Sequence, residues 1–282
     1  MKVAIQGYEG SFHQIVAHKY FGERIEIISC PTFRKVAKCV EEGSADYGVI
    51  AIENSIAGSI LANYKILQNH NLQVAGEGYL RIKQNLMALP GTRLEDIKEV
   101  QSHPMALLQC MDYLEEHDWK LIESEDTAYS AREVAQKQLK NTAAIASTLS
   151  AKIYGLEILA EDINTIKENF TRFMILKQRD GFLDPFANKA SLYFKTKHER
   201  GSLLKVLEQT KDENVNLSKL QSYPIPSEPW HYLFHIDMEF DYLDDYQRTI
   251  KKLEEVADEV HVYGVYRSGF KESSDNGKII EE

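Results

Sequence analysis

The sequence contains no apolar run that approaches the roughly 18 residues a membrane-spanning helix needs, which excludes an integral membrane protein. Cysteine is scarce. Cys30, Cys39 and Cys110 are widely spaced and form no C-x-x-C pair, so neither a disulfide framework nor a cysteine-ligated zinc site is expected. The first residues show no basic segment followed by an apolar one, and therefore no export signal. These absences predict a cytoplasmic protein with reduced thiols.

The sequence also has fewer basic residues than acidic ones. The 33 lysines and arginines are outnumbered by 43 aspartates and glutamates, which gives a formal net charge of −10. Such a surface repels nucleic acid and anionic membranes, so neither is expected as a partner. An anionic ligand would have to be held by a local site, and backbone N–H groups at helix N-termini are the usual means.

Several familiar catalytic and metal-site signatures are missing as well. The sequence has no G-x-S-x-G motif, no H-E-x-x-H motif and no Walker loop. His231 and His235 are four residues apart, but they lie in a predicted strand without a cysteine or an acidic partner in place. No metal site is therefore predicted there.

The first 180 residues alternate short β-rich runs with apolar residues at helical spacing. This alternation predicts an α/β sheet that is mostly parallel. The predicted strands are 3–6, 25–29, 47–52, 72–89, 99–101, 120–124, 143–146 and 173–177. The predicted helices are 12–21, 33–42, 104–117, 127–137 and 148–154.

A domain boundary is predicted at 178–188, where Gly181 and Pro185 interrupt the pattern. The domain that follows, 188–270, has the βαββαβ order of a ferredoxin-like fold. Its predicted strands are 190–196, 217–222, 232–240 and 261–266, with helices at 202–214 and 246–259. The polar segment 271–282 is predicted to be a disordered tail.

Two polar motifs follow predicted strands of the first half. In Gly7-Tyr8-Glu9-Gly10-Ser11, Ser11 could cap the next helix and face an anion, and a plain turn with an N-cap is the alternative. The spacing is not G-x-G-x-x-G, so a dinucleotide site is disfavoured. A second polar cluster follows the third strand, where the ligands of open α/β sheets gather. It comprises Asn54, Ser55, Gly58 and Ser59, which could either grip a carboxylate or form an ordinary polar loop.

Two further motifs lie in the second half of this region. Ser102-His103-Pro104 begins a predicted helix, with Gln109 two turns on, and Ser102 as the helix cap with Pro104 near position N1 explains it structurally. Asn169-Phe170-Thr171-Arg172-Phe173 leads into an apolar strand. In a regular strand Thr171 and Phe173 share one face and Arg172 points to the other, which favours a structural ion pair for Arg172.

Taken together, the four motifs resemble in order and spacing those of the prephenate dehydratase family. The βαββαβ unit is similar to an ACT domain, with Gly201, Ser202, Leu203 and Leu204 where that family has its ligand loop. The resemblance covers about residues 1–270. It implies a catalytic unit over 1–180 like a type II periplasmic binding protein, with the site between two lobes. One lobe is about 1–75 plus 165–180, and the other is about 80–160.

The resemblance also implies the reaction, which converts prephenate to phenylpyruvate, water and carbon dioxide in L-phenylalanine biosynthesis, without a metal or an organic cofactor. The catalytic hydroxyl maps onto Thr171, supported by Asn169 and Phe173. Substrate binding maps onto Ser11, Asn54, Ser55, Gly58, Ser59, Ser102 and His103. Because an alcohol is a very weak acid, we expect Thr171 to donate a hydrogen bond to the leaving hydroxyl, with the proton relayed through water or the substrate.

This sequence departs from the family pattern at three places. Met105 stands where the family's S-H-P-Q motif ends, and His13 replaces a frequent serine or threonine. In the ACT domain the family's E-S-R-P stretch is replaced, and two charges are lost with it. The stretch reads Gln221-Ser222-Tyr223-Pro224. Inhibition by L-phenylalanine is therefore an open expectation. If the amino acid binds, the family pattern places it between ACT domains of two subunits, which implies a homodimer or homotetramer.

Other functions stay open at this point. An arogenate dehydratase would carry the same motifs, because arogenate differs from prephenate only by an amino group in place of a keto group. A non-enzymatic two-lobed small-molecule sensor is a further alternative, and an inactive allosteric subunit is another. Neither of these would need all four motifs of the cleft.

Overall fold

The computed structural model describes residues 1–211, 213–225, 228–269, 271–272 and 279–280, and its strands form three main sheets. The first sheet has the order β2-β1-β3-β11-β5, with the short β4 paired to β3. Its strands are β1 (Lys2–Gln6), β2 (Glu26–Cys30), β3 (Tyr47–Asn54), β4 (Gly58–Ser59), β5 (Leu72–Arg81) and β11 (Phe170–Gln178). Its helices are α1 (Phe12–Phe21), α2 (Phe33–Glu41) and α3 (Leu61–Asn69).

This sheet is mixed, which corrects the prediction of a mostly parallel one. β1 is parallel to both β2 and β3, whereas β11 is antiparallel to both β3 and β5. The reason is the path of the chain. β5 leads out toward the second sheet and β11 leads back from it, so β11 enters the first sheet without the helical crossover that a parallel pair requires.

The second sheet has the order β10-β6-β9-β7-β8 and is also mixed. Its strands are β6 (Asn85–Ala88), β7 (Glu99–Ser102), β8 (Lys120–Glu123), β9 (Thr142–Ala146) and β10 (Glu157–Ala160). Its helices are α4 (Pro104–Gln109), α5 (Met111–Leu114), α6 (Thr127–Gln136) and α7 (Thr148–Tyr154), with a 3₁₀ turn at Leu94–Asp96.

Two chain crossings connect the first and second sheets. The predicted single strand 72–89 is in fact two strands, β5 and β6, and the residues between them form one crossing. The second crossing lies between β10 and β11. The crossings bind each other, since the N–H of Ile163 donates to the carbonyl of Gln84 over 2.8 Å and the N–H of Ile82 donates to the carbonyl of Asn169 over 2.7 Å. The two lobes therefore share a hydrogen-bonded connection.

The predicted helix 104–117 is also divided. Cys110 leaves helical backbone geometry, with φ −112° and ψ 15°, and separates α4 from α5. Its side chain is fully buried in the core of the second lobe. All three cysteines are buried and free, and the Sγ atoms of Cys30 and Cys39 are 3.9 Å apart.

The third sheet has the order β13-β14-β12-β15 with every neighbouring pair antiparallel, and this confirms the ferredoxin-like βαββαβ prediction. Its strands are β12 (Lys189–Lys195), β13 (Val215–Pro224), β14 (Tyr232–Phe240) and β15 (Glu259–Tyr266). Its helices are α8 (Ser202–Lys211) and α9 (Leu243–Val256).

One face of the third sheet is covered by α8 and α9, and the other face packs on the first lobe. Every second residue of β12 faces the helices, and these residues, Ala190, Leu192 and Phe194, lie in the core beneath them. Tyr263 and Tyr266 of β15 instead belong to the core of the first lobe. The third sheet is therefore part of the wall behind β11 and β5.

The C-terminal segment contains β16 (Lys271–Glu272) and β17 (Ile279–Ile280), which pair antiparallel. The rest of the predicted disordered tail, 273–278 and 281–282, lies outside the described residues, and that prediction is untested. Among the residues described, no helix combines the length and apolar character needed to cross a membrane.

Candidate active site

A cleft of about 390 Å³ lies between the two lobes. Residues predicted from all four motifs line it, among them Ser11, Asn54, His103 and Thr171. Phe173 also lines the cleft while Arg172 points away from it, which confirms the predicted alternation along β11. The cleft thus brings together groups that are distant in the sequence, such as Ser11 and Thr171, which are 160 residues apart.

Thr171 is held by Asn54, its direct partner in the register between β11 and β3. The Oδ1 atom of Asn54 accepts hydrogen bonds from the N–H groups of Ile56 (3.0 Å) and Ala57 (2.9 Å), which fixes the orientation of the amide. Its Nδ2 group therefore faces Thr171 and donates to Oγ1 over 3.0 Å. Because the threonine oxygen accepts this bond, the hydroxyl hydrogen is left to donate into the cleft.

Asn169 connects this pair to the second lobe. Its Oδ1 atom accepts from Asn54 Nδ2 over 2.7 Å, and its own Nδ2 group donates to Oε1 of Gln109 on α4 over 3.1 Å. Asn169 is completely buried. The chain Gln109–Asn169–Asn54–Thr171 therefore links both lobes to a hydroxyl whose hydrogen is left for the cleft.

Two helices direct their N-termini at the cleft, as the charge analysis anticipated for an anionic ligand. Ser11 caps α1 by accepting from the N–H of Gln14 over 3.4 Å, and Asp126 caps α6 by accepting from the N–H of Tyr129 over 2.9 Å. Phe12 and Thr127, the first residues of these two ten-residue helices, line the cleft. The positive end of the α1 dipole thus faces the cleft, whereas that of α6 is already paired with the Asp126 carboxylate that caps it.

His13 contributes a neutral aromatic wall. Its ring lies edge-on to Phe173 with the centroids 5.0 Å apart. Burial lowers the pKa of His13 to about 3, because the charged form would lose its solvation. At neutral pH this histidine therefore holds no ionisable proton for the reaction. The replacement of a family serine or threonine here adds apolar surface rather than an acid.

The sequence prediction missed the acidic residues of the second lobe. Glu125 and Asp126 both line the cleft. Glu125 accepts a 2.5 Å hydrogen bond from the hydroxyl of Tyr8, across the cleft. Burial raises the pKa of Asp126, while the backbone N–H groups it caps oppose that shift. No local motif marks these residues, since only the packing of the two lobes brings them to the site.

His103 lies exposed at the start of α4. Its Nδ1 atom accepts from the N–H of Met105 over 3.2 Å and so caps the helix. The cap predicted for Ser102 is thus formed by the next residue. Ser102 is fully buried and donates to the carbonyl of Ile145 over 2.7 Å.

Three more of the predicted substrate-binding residues contact other parts of the protein. The Ser55 hydroxyl donates to the carbonyl of Glu168 over 3.2 Å and accepts from the N–H of Phe170 over 2.9 Å. Gly58 has a φ of +80°, which favours glycine in this turn. Ser59 accepts from Lys219 Nζ over 2.8 Å. Substrate contact by these residues and by Ser102 stays a prediction.

The glycine turn meets the second lobe directly. The carbonyl of Gly10 accepts from the hydroxyls of Ser147 (2.5 Å) and Ser150 (3.0 Å). A Cβ atom at Gly10 would collide with Ser150, so the close approach requires glycine there. Ser147 and Ser150 were not predicted, because each reads locally as an ordinary helix-start residue.

A second cavity, of about 330 Å³, lies in the third sheet's domain between the β12–α8 loop and β14. Of the predicted ligand loop, Ser202 and Leu203 line it, and Gly201 beside them has a φ of +80°. The predicted residues Gln221, Ser222, Tyr223 and Pro224 form the end of β13, an edge strand of the sheet.

Comparison with known proteins adds independent findings. The family model for prephenate dehydratase matches residues 3–181. The chain is 35% identical over 279 residues to arogenate dehydratase/prephenate dehydratase 2, chloroplastic, of Arabidopsis thaliana, covering 94% of this chain and 72% of that protein.

Two solved structures share the whole architecture. Prephenate dehydratase of Arthrobacter aurescens in complex with L-Phe superposes with a TM-score of 0.85 at 26% identity, covering 95% of this chain and 90% of that one. GqqA, described as a novel type of quorum quenching acylase, superposes with a TM-score of 0.86 at 28% identity, covering 95% and 98%. The similarity therefore extends over both lobes and the third sheet.

Proposed function

The chain belongs to the prephenate dehydratase family, and on that premise we propose that it converts prephenate to phenylpyruvate, water and carbon dioxide. This is a carbon–oxygen lyase reaction of L-phenylalanine biosynthesis. The observation that carries the proposal is the Thr171 hydroxyl, whose oxygen accepts from Asn54 Nδ2 over 3.0 Å and whose hydrogen is left for a ligand in the cleft.

The protein needs to orient the substrate and to stabilise the charge that develops on the departing oxygen. As the ring carboxylate leaves as carbon dioxide, its bonding electrons pass into the ring, the ring becomes aromatic and the carbon–oxygen bond of the ring hydroxyl breaks. The departing oxygen takes up one proton and becomes water, so each turnover consumes one proton from solvent. Thr171 donates its hydrogen bond to that oxygen as negative charge develops on it. The N–H of Asn54 stabilises any charge that passes to Thr171 Oγ1.

The rest of the cleft supports a dianionic substrate. The N-terminus of α1 offers partial positive charge to a carboxylate without adding lysine or arginine. His13, held neutral, and Phe173 supply aromatic surface suited to a ring. Asn169, bonded to Gln109, keeps the two lobes in one arrangement about the ligand.

Arogenate is the second candidate substrate. A relative from Arabidopsis thaliana carries both activities in its name, and another from Petunia hybrida is named as an arogenate dehydratase. The two substrates differ at the side-chain carbon and share the reacting ring. The same Thr171 chemistry would therefore yield phenylalanine from arogenate.

We also propose L-phenylalanine as an effector, bound at the cavity beside Ser202 and Leu203 in an ACT domain. A solved relative contains this amino acid. Among the described residues β13 is an edge strand, so one row of its backbone groups has no strand partner there, and a second copy could pair with it in a homodimer or homotetramer. Three buried, free thiols agree with a cytoplasmic location.

The decisive assay is product formation by the purified protein, with prephenate and arogenate offered separately. We expect rapid phenylpyruvate formation from prephenate. Preference for arogenate, with phenylalanine as product, would keep the site and change the substrate. A folded protein that is inactive on both would contradict the proposal. Repeating the assay with L-phenylalanine, together with calorimetry, tests whether this amino acid is an effector. Light scattering tests the oligomeric state.

A further inference from the structure

The side of the catalytic strands that faces away from the cleft is held by the C-terminal sheet. Along β11 and β3, Thr171 is the register partner of Asn54, and Arg172 is the partner of Glu53. Side chains alternate along a strand, so the first pair faces the cleft and the second pair faces the opposite side. Thr171 is thus followed in the chain by Arg172, and Asn54 is preceded by Glu53. We call the side of the sheet that holds these two charged residues the reverse face.

Both reverse-face residues are bound by side chains of the C-terminal sheet. Lys219 of β13 places Nζ 2.7 Å from Oε1 of Glu53, and its other bond reaches the hydroxyl of Ser59 over 2.8 Å. Asp237 of β14 accepts a hydrogen bond from Nη1 of Arg172. These contacts join residues that lie 65 to 166 positions apart.

A second layer completes the arrangement around Arg172. Its Nε atom donates to Oε2 of Glu77 over 2.6 Å, and Lys189 Nζ donates to Oε1 of the same carboxylate over 2.9 Å. Arg172, Glu77, Asp237 and Lys189 are each at least 96% buried, and their formal charges cancel. Burial alone would raise the pKa of Asp237, but the charges of Arg172 and Lys189 outweigh it and lower the pKa.

The ladder itself is irregular at this point. The register between β11 and β3 shifts after Arg172, because Phe173 pairs with Ala51 and leaves Ile52 as an extra residue on β3. Such a bulge interrupts the hydrogen-bond ladder and lets the strand bend locally. Asn54 and Glu53 lie at the end of β3 beyond this bulge, whereas Thr171 and Arg172 stay in continuous register with Leu80 and Tyr79 of β5, so the ladder fixes the β3 side of each pair less firmly.

From these contacts we propose that Lys219 and Asp237 are positioning residues for the dehydratase site. They hold Glu53 and Arg172 on the reverse face, and through these they set the geometry of the Asn54–Thr171 pair beside the bulge. The inference rests on the proposed function for its catalytic consequence. The C-terminal domain is thus a structural part of the active site in addition to any effector it binds.

The central test replaces Lys219 by methionine, which keeps the length of the side chain and removes its charge. We expect kcat on prephenate to fall about tenfold with KM changed less than about twofold, because a displaced catalytic group costs rate more than binding. Lys219→Arg should recover most of the loss. Asp237→Asn should lower kcat in the same way.

The matched control is Lys195→Met. Lys195 lies in β12 of the same sheet and bonds Glu228 over 2.7 Å, within the C-terminal domain. Its kcat should stay within about twofold of the wild type. If Lys219→Met does not fold, Lys219→Gln takes its place. An unchanged kcat in the folded Lys219 variant overturns the proposal.

A readout independent of turnover separates this proposal from the proposed function. The side-chain amide of Asn54 gives an NMR signal that is assigned by its loss in Asn54→Asp. We expect this signal to shift in Lys219→Met and to stay in place in Lys195→Met. A wild-type protein inactive on both substrates would refute the proposed function. An Asn54 signal unmoved by Lys219→Met would refute the positioning role, whatever the activity.

Discussion

The two faces of β11 differ in how completely their polar groups are satisfied. On the reverse face, Arg172 is enclosed by Glu77 and Asp237, and every charge there has a partner. On the cleft face, Thr171 accepts one hydrogen bond from Asn54 and keeps its own hydrogen for a ligand. One strand thus carries both arrangements on consecutive residues.

The difference shows what each arrangement is suited to do. A buried charge is costly unless neighbours match it, so a closed network fixes its members in place. A catalytic hydroxyl needs a hydrogen that is free to bond the substrate. It gains from having its oxygen held in place by hydrogen bonds from the protein. Under the proposed function, the reverse face therefore supplies rigidity and the cleft face supplies the chemistry. Four substitutions test this division, in order of decreasing expected free-energy effect.

The largest effect should come from Arg172→Met, which leaves Asp237 without its hydrogen-bonded cation and Glu77 with Lys189 alone. Removing one partner of a buried ion pair costs about 3–5 kcal/mol. The free energy of unfolding, measured by urea denaturation, should fall by that amount. Arg93→Met is the exposed counterpart, since Arg93 pairs with Glu95 at the surface. It should lose less than about 1 kcal/mol. Equal losses in the two variants would contradict the account of the reverse face.

Thr171→Val should have the next largest effect, and on catalysis rather than stability. The change removes the hydroxyl and keeps the shape, so kcat should fall by about 10²–10³, the usual loss for one transition-state donor. Steady-state product formation measures it. Thr171→Ser retains the hydroxyl and should keep most of the activity. If Thr171→Val binds prephenate normally and keeps near-wild-type turnover, the assignment of this residue is wrong.

Asn54→Asp probes the orientation of the hydroxyl. The carboxylate can still accept from the N–H groups of Ile56 and Ala57, but it cannot donate to Thr171. Thr171 would then donate to the carboxylate instead of the substrate. We expect kcat to fall about 10–100-fold, the equivalent of losing one well-placed hydrogen bond. A variant with unchanged kcat and unchanged thermal stability would show that Asn54 does not orient the hydroxyl.

The smallest effect concerns how the free energy of unfolding depends on acidic pH. The cleft side and the reverse side of β11 are alike in this respect. Burial lowers the pKa of His13 to about 3 on the cleft side and that of His235 to about 4 on the other. Unfolded histidine titrates near about 6.5. Between that pH and the folded value the unfolded chain binds more protons, so stability falls as pH falls.

His13→Phe removes one of these groups and keeps the aromatic contact with Phe173. Its unfolding free energy should depend on pH less steeply than that of the wild type between pH 6.5 and 4.5. The slope should be lower by at most about 1.4 kcal/mol per pH unit, which corresponds to one proton. Urea denaturation at several pH values gives the slope. Parallel curves for the two proteins would contradict the buried, neutral state of His13.

The sequence predicted most elements of the fold because its local signals agree with one another. The predicted helices 12–21 and 148–154 match α1 and α7 residue for residue, and both begin after a serine whose side chain accepts from the third helical N–H. α3 was missed because Ile60 precedes it without a side-chain cap. The division of 72–89 was missed although the mostly polar segment Arg81-Ile82-Lys83-Gln84-Asn85 marks the crossing between the lobes.

The site was predictable only where chemistry lies in contiguous motifs. Asn54, Thr171 and Ser11 were found because each belongs to a short polar segment beside a strand. Lys219 and Asp237 look like ordinary solvent-facing charges in a strand pattern. Their partners, Glu53 and Arg172, are brought to them by packing between domains, which local periodicity does not encode.

The most direct test of the two-face account is a double-mutant cycle between Lys219→Met and Thr171→Val, measured as kcat on prephenate. If the reverse face acts through the hydroxyl, Lys219→Met should lower kcat about tenfold in the wild type and less than about twofold when Val replaces Thr171. An undiminished tenfold loss in the Thr171→Val background would show that Lys219 acts independently of Thr171, and would contradict the account.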